Sequence, residues 1–112
     1  MSEKDKFNKL VAILREKAAV ILPRGSRVAL YGSRARGDFR EDSDWDLHVL
    51  IPGPEKISLD QEDEYAWPLS SAGLELGEIV NVRVYSFAGW LKRSFLPFYK
   101  NVEAEKLIIY NE

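Results

Sequence analysis

The chain has 112 residues, one domain's worth, and its 46% hydrophobic, 30% charged and 12% aromatic residues are those of a folded globular protein, which excludes disorder and fibrous repeats. Sixteen Lys and Arg against eighteen Asp and Glu leave a net charge of −2, so nucleic acid held by charge alone is not expected. The absence of cysteine excludes disulfides, zinc–thiolate sites and thiol catalysis, and the single histidine, His48, excludes a multi-histidine metal site. No apolar run approaches the roughly 18 residues of a membrane span, and the opening MSEKDKFNKL is not an apolar leader, so a cytoplasmic protein is expected.

Phe7, Leu10, Val11, Leu14, Ala18 and Ile21 recur at helical spacing with Lys9, Arg15, Glu16 and Lys17 between them, which predicts an amphipathic helix over residues 3–22. Pro23, Gly25 and Ser26 stop it, and the apolar run Arg27 to Tyr31 reads as a buried strand. Gly32-Ser33 breaks that strand, with Ser33 expected to cap a short helix through Arg34, Ala35 and Arg36. After a polar loop from Gly37 to Ser43, a second strand is predicted over Asp44 to Ile51. Pro52-Gly53-Pro54 marks a loop, and Ser58 with Gln61 has the form of a capping box opening a helix over 58–76. Pro68 predicts a kink or break in that helix. Glu78 to Tyr85 alternates as a strand, Ser86 caps a short helix carrying Trp90 and Leu91, and a helical piece follows Pro97. The end, Leu107 to Tyr110, reads as a helix end or an edge strand. The order α, β, α, β, α, β, α describes a single α/β domain over residues 1–112, with helices packed on a sheet.

The chemistry is concentrated in Leu30 to Val49, LYGSRARGDFREDSDWDLHV, which holds neither a Walker lysine nor GxGxxG. On a strand, residues two apart share a face, so Asp44 and Asp46 project together, with His48 further along. Two converging carboxylates repel unless a cation lies between them, and Mg²⁺, or Mn²⁺ in its place, takes such hard oxygen ligands together with phosphate oxygens. Gly32 permits close backbone approach, Ser33 and neighbouring amides offer donors to phosphate, and Arg34 and Arg36 add positive charge. Chance alone gives about 0.4 Asp-x-Asp pairs in a chain of this composition. The information therefore lies in the ordered conjunction of turn, cations and acid pair. The bland alternatives are a solvated acidic loop for the aspartates, a plain cap for Ser33 and a surface helix face for the arginines.

Gly32-Ser33-Arg-Ala-Arg-Gly37 followed by Ser43-Asp44-Trp45-Asp46-Leu47 resembles the signature of minimal nucleotidyltransferases of the DNA polymerase β-like superfamily. That resemblance implies an α/β (α+β) fold with a short mixed sheet flanked by helices. It also implies Gly32 and Ser33, helped by Arg34 and Arg36, on the phosphates of a nucleoside triphosphate such as ATP, with Asp44 and Asp46 as catalytic metal ligands. The implied reaction moves a nucleoside monophosphate to an acceptor hydroxyl, with a HEPN-type toxin partner as the favoured acceptor and a homodimer as a further possibility. Competent members of this superfamily carry a third carboxylate on a later strand. Alternation in Glu78 to Tyr85 puts Asn81 and Arg83 on the site-facing side and Glu78 on the other, so Asn81 stands in the third-ligand position. Asparagine offers a neutral oxygen but cannot accept a proton as a carboxylate does. Either Glu75 or another acid supplies a base, or none is needed, or the domain is a catalytically impaired nucleotide-binding or antitoxin-like partner. Trp90, Phe95, Phe98 and Tyr99 are expected as core, with base stacking as the alternative reading.

Overall fold

The apolar stripe of the first helix, α1 (Glu3–Ile21), buries Leu10, Val11, Leu14 and Ala18, and Ser2 caps it by accepting a hydrogen bond from the Asp5 amide. The computed structural model describes residues 2–112. The helix is followed by β1 (Arg27–Tyr31), α2 (Ser33–Arg36), β2 (Trp45–Ile51), α3 (Leu59–Leu74), β3 (Val80–Ser86), α4 (Phe87–Leu91), α5 (Pro97–Glu105) and β4 (Leu107–Asn111). The four strands form one mixed sheet in the order β3-β2-β1-β4. β2 and β3 run parallel, joined through α3, while β1 is antiparallel to both of its neighbours. The apolar end of the chain is therefore an edge strand, not a helix end.

One face of the sheet is largely apolar. Val28, Leu30, Trp45, Leu47, Val49, Ile51, Val80 and Val84 point from it into a core completed by Leu10 and Leu14 of α1 and Leu69 and Ala72 of α3. Burial of such side chains, each worth roughly 1.5–3 kcal/mol, makes this layer the principal source of stability. The other face carries a smaller apolar group, Leu50, Trp90 and Val102, with Tyr31, Tyr85, Phe98 and Tyr99 packed around it. Trp90, Phe98 and Tyr99 are thus core, as their composition suggested, whereas Phe95 is 73% exposed. Among the described residues no helix is long and apolar enough to cross a membrane.

Three local expectations need correction. Ser33 does not cap α2: Gly32 holds the cap position and Ser33 is the first helical residue. Of the kink or break expected at Pro68, the break does not occur: α3 continues to Leu74, with Leu69 and Ala72 just beyond the proline anchored in the core. Asp44 lies one residue before β2, which begins at Trp45, and β3 likewise begins at Val80 rather than Glu78. The caps at Ser58 and Ser86 form as expected, accepting from the amides of Gln61 and Gly89.

His48 is fully buried under Trp90, with ring centroids 4.0 Å apart, and neither ring nitrogen has a hydrogen-bond partner. Burial first, then the nearby charge of Arg27 and, more weakly, Lys106, push its pKa down to about 4, with Glu103 opposing them. The neutral ring is the folded form, so its contribution to stability is complete above the ordinary histidine pKa of 6.5 and fades as pH falls towards 4. Urea unfolding of the wild type is expected to show about 2 kcal/mol less stability from this residue at pH 5 than at pH 7.5. His48→Leu should remove that part of the acid dependence. At the end of α3, a β-carbon on Gly73 would collide with Val80 Cγ2 and lie 2.9 Å from the Glu78 carbonyl oxygen. Gly73→Ala should accordingly cost about 1–3 kcal/mol, read by thermal or urea unfolding.

Candidate functional site

β1 ends at Tyr31 and the chain turns at Gly32 with φ of 76° and ψ of −158°, a conformation that side-chain-bearing residues rarely adopt. Space imposes the same choice, since a β-carbon at Gly32 would sit 2.7 Å from Asp46 Oδ2. The aspartate carboxylate therefore lies directly against the turn. Gly37 closes α2 in the left-handed region at φ of 89°, with its amide bonded to the Ser33 carbonyl oxygen.

The sheet register builds the rest. Asp46 lies opposite Tyr31 on β1 and beside Asn81 on β3, so the three form one row across the face away from the α1 and α3 layer. Asn81 Nδ2 donates to Asp46 Oδ1 and to Asp44 Oδ2, both at 3.3 Å. Asp44, Asp46 and Asn81 thus meet, with Asp46 against Gly32, and Asn81 lies on the same face of the sheet as Asp46. The next row along the strands pairs His48 with Arg83, whose guanidinium lies 5.7 Å from the Phe98 ring centroid. Burial, and after it the charge of Asp46, push the Tyr31 phenol above its ordinary pKa, with Arg83 pulling the other way.

The two arginines of α2 part company. Arg36 stays at the turn, where its Nη1 donates to Glu105 Oε2 at 2.8 Å and its Nε to Asp38 Oδ2 at 3.2 Å. Arg34 does not meet the expectation of a phosphate contact, because its side chain is only 1% exposed and faces inward. Its guanidinium lies 4.3 Å from the Phe39 ring centroid and 4.8 Å from that of Trp45, and it donates to the carbonyl oxygens of Ser43 and Glu41. Ion pairs to Glu3 at 3.4 Å and to buried Glu78 at 3.7 Å complete its surroundings. What Arg34 does is tie down the loop whose next residue is Asp44.

Neither Glu78 nor Glu75, the acids nearest in sequence to β3, joins the aspartate pair. Glu78 is held on the opposite side by Lys6 at 2.7 Å and by Arg34, and Glu75 ends α3, which packs on the other face of the sheet. Among the described residues there is no group of three or more His, Cys, Asp or Glu side chains arranged to hold a metal ion. Two carboxylates with an amide oxygen nevertheless fit Mg²⁺, which takes one or two carboxylates and draws its remaining ligands from water and phosphate. Asn81 can meet that role by turning its amide through half a revolution, exchanging a donor for an oxygen.

One participant was not singled out from the sequence. Glu105 Oε1 accepts from the Gly32 amide at 3.0 Å while Oε2 accepts from Arg36, so a carboxylate of α5 joins the glycine turn to α2. The signal available was electrostatic: an acid in the last turn of a helix opposes the helix dipole and needs a compensating partner elsewhere.

A family model for the nucleotidyltransferase domain matches residues 8–110. Among solved structures, a candidate nucleotidyltransferase from Sulfolobus solfataricus aligns with a TM-score of 0.63 at 16% identity, over 96% of this chain and 86% of the other. A toxin–antitoxin structure with AMP-PNP gives 0.56 at 21% identity, over 95% and 73% of the two chains. A toxin–antitoxin MntA–HpeT mutant with two aspartates changed to glutamates gives 0.52 at 18%, over 95% and 73%. No curated protein matches the chain. At these identities the structures establish a shared fold, and the family match extends over nearly the whole sequence: the chain belongs to the nucleotidyltransferase domain family.

Proposed function

We propose that this domain transfers a nucleoside monophosphate from a nucleoside triphosphate, ATP being the expected donor, to an acceptor hydroxyl. The observation that carries the reading is that Asp46 Oδ2 lies 2.7 Å from where a Gly32 β-carbon would be, while Asp44 and Asp46 meet at the Asn81 amide. Asp44 and Asp46, with Asn81 beside them, would hold Mg²⁺ or Mn²⁺, which when bound polarises phosphoryl oxygens and offsets their charge. Ser33, the Gly32 amide and Arg36 face the phosphates, and Tyr31 walls the site on the β1 side. The acceptor oxygen attacks the α-phosphorus, the bond from that phosphorus to the bridging oxygen breaks, and pyrophosphate leaves with the electron pair. The proton of the acceptor goes to water, since Asn81 cannot take it. The toxin–antitoxin structures support a protein partner for this fold, and a hydroxyl on a HEPN-type toxin is the acceptor that the sequence resemblance implies.

A second reading has its own observation. The Asn81 amide donates to both aspartates, and among the described residues no third acid or histidine groups with them, as in a domain that binds nucleotide or a partner without turnover. Incubation with α-labelled ATP, Mn²⁺ or Mg²⁺ and candidate acceptors separates the two. Label transfer is expected for the wild type, with Asp44→Ala or Asp46→Asn lowering it at least 100-fold. Bound nucleotide without transferred label, with transfer appearing only in Asn81→Asp, would instead establish the non-catalytic reading. In the catalytic case Asn81→Asp should raise the rate about tenfold or more by adding a proton acceptor. Glu105→Ala should free the Gly32 amide and Arg36, tightening ATP binding severalfold in calorimetry with Mg²⁺ present.

A further inference from the structure

Displacement at phosphorus sets the attacking and leaving oxygens in line, on opposite sides of the reacting atom. The turn at Gly32 and Ser33 that would hold the departing phosphates follows β1, and β3 lies on the other side of β2. An acceptor hydroxyl therefore enters from the β3 side, over Asn81. Beyond Asn81, Arg83 and Tyr85 follow on the same face, about 7 and 13 Å further along the strand. Both line a cavity of about 480 Å³ between the end of β3, the loop carrying Glu55 and Lys56, the first turns of α3, and α4 with the turn after it.

The cavity is basic. Lys56, Arg83, Lys92 and Arg93 line it against Glu55 and Glu62, in a chain whose net charge is −2. Lys92 is neutralised by Glu55 at 2.7 Å, whereas Lys56, Arg83 and Arg93 make no ion pair among the described residues. Their surroundings are built rather than loose. Arg93 Nη1 donates to the Gly89 carbonyl oxygen at 2.9 Å, and its guanidinium lies over the Tyr85 ring, 4.9 Å from the centroid. The loop carrying Lys56 is pinned at the preceding residue, where buried Ser86 donates through Oγ to the Glu55 carbonyl oxygen at 2.7 Å.

We propose, on the strength of the transfer reading above, that this cavity is the subsite that selects the acceptor. It takes carboxylates carried two to four residues from the reacting hydroxyl on an extended segment of a partner protein, with Arg83, Arg93 and Lys56 as the selecting residues. The spacing follows from chain geometry, since two to four extended residues advance about 7–13 Å, the reach from Asn81 to Arg83 and Tyr85. A few carboxylates match three separated cations in a net-acidic chain, whereas a nucleic acid strand draws on a large basic excess.

The test uses the whole chain and fluorescein-labelled dodecapeptides holding one tyrosine, with glutamates two to four residues away on each side or, in the control, lysines. A labelled single-stranded oligonucleotide of matching charge is the third probe. Anisotropy without ATP reads binding, and transfer from α-labelled ATP with Mn²⁺ reads turnover. The glutamate peptide should bind about tenfold more tightly than the lysine peptide and receive more label. Lys56→Glu combined with Arg93→Glu should abolish that preference while ATP binding, read by calorimetry, stays as in the wild type. Preferential binding of the glutamate peptide with no label on either peptide would sink the transfer reading and support an acid-selective subsite. Binding indifferent to peptide charge, equal label on both peptides, or tighter binding of the oligonucleotide would overturn the proposal, and equal label would do so with the transfer reading intact.

Discussion

Two carboxylates brought together at the start of one strand must be held apart or bridged, and here a side-chain amide bridges them. Asn81 reaches this position only because β2 and β3 run parallel in a register that sets it beside Asp46. Its amide donates to both acids at 3.3 Å, distances near the long end for such bonds. Gly32 completes the constraint from the other side, for any other residue would bring its β-carbon to 2.7 Å from Asp46 Oδ2. The apolar layer beneath, in which Trp45 and Leu47 are fully buried, fixes the strand phase that turns Asp46 to the opposite face. A one-residue slip of β2 would bury the aspartate and expose the tryptophan, so core packing and site geometry are a single specification.

Much of this was legible in the sequence because it depends on local period. The alternation in DWDLHVLI and EIVNVRVY assigns Asp46, His48, Asn81 and Arg83 to one face, and Trp45, Leu47, Val80 and Val82 to the other. The Gly-Ser turn needs no more than its own residues to be seen. What could not be read were pairings between distant segments. Arg34 and Arg36 are two residues apart on a short helix and look equivalent, yet one is buried between Phe39 and Trp45 and the other stays at the turn. Nothing at spacing i+3 or i+4 distinguishes them, because their partners Glu78 and Glu105 lie more than forty residues further along the chain. Glu105 was missed for the same reason. Pro68 shows the converse, a local rule overridden when packing on both sides of the proline holds the helix together.

Charge at the turn is consequently better balanced than the cluster of arginines and aspartates suggests. Arg36 is shared between Asp38 and Glu105, and contact with these acids, Glu105 before Asp38, raises its pKa above the ordinary arginine value. The Glu105 carboxylate lies across the Gly32 amide much as an oxyanion would. On the proposed reading, an incoming triphosphate exchanges one anion for another of higher charge. The cradle is thus satisfied before the nucleotide arrives, and affinity depends on the difference between two anions rather than on filling an empty site.

Asn81 has the same kind of consequence for a cation. Three acids in one row would repel one another strongly in the absence of metal, and the free protein would carry that repulsion as lost stability or as a retained proton. With asparagine in the row, the two remaining carboxylates are satisfied by the amide, and the folded domain is self-consistent without an ion. Asp44, Asp46 and Asn81 then offer a divalent cation two formal charges instead of three, so more of its ligation must come from phosphate oxygens. On the proposed reading, metal and nucleotide bind as a unit, each weakly alone, and asparagine in the third position favours the ion already carried by a polyphosphate over the free ion.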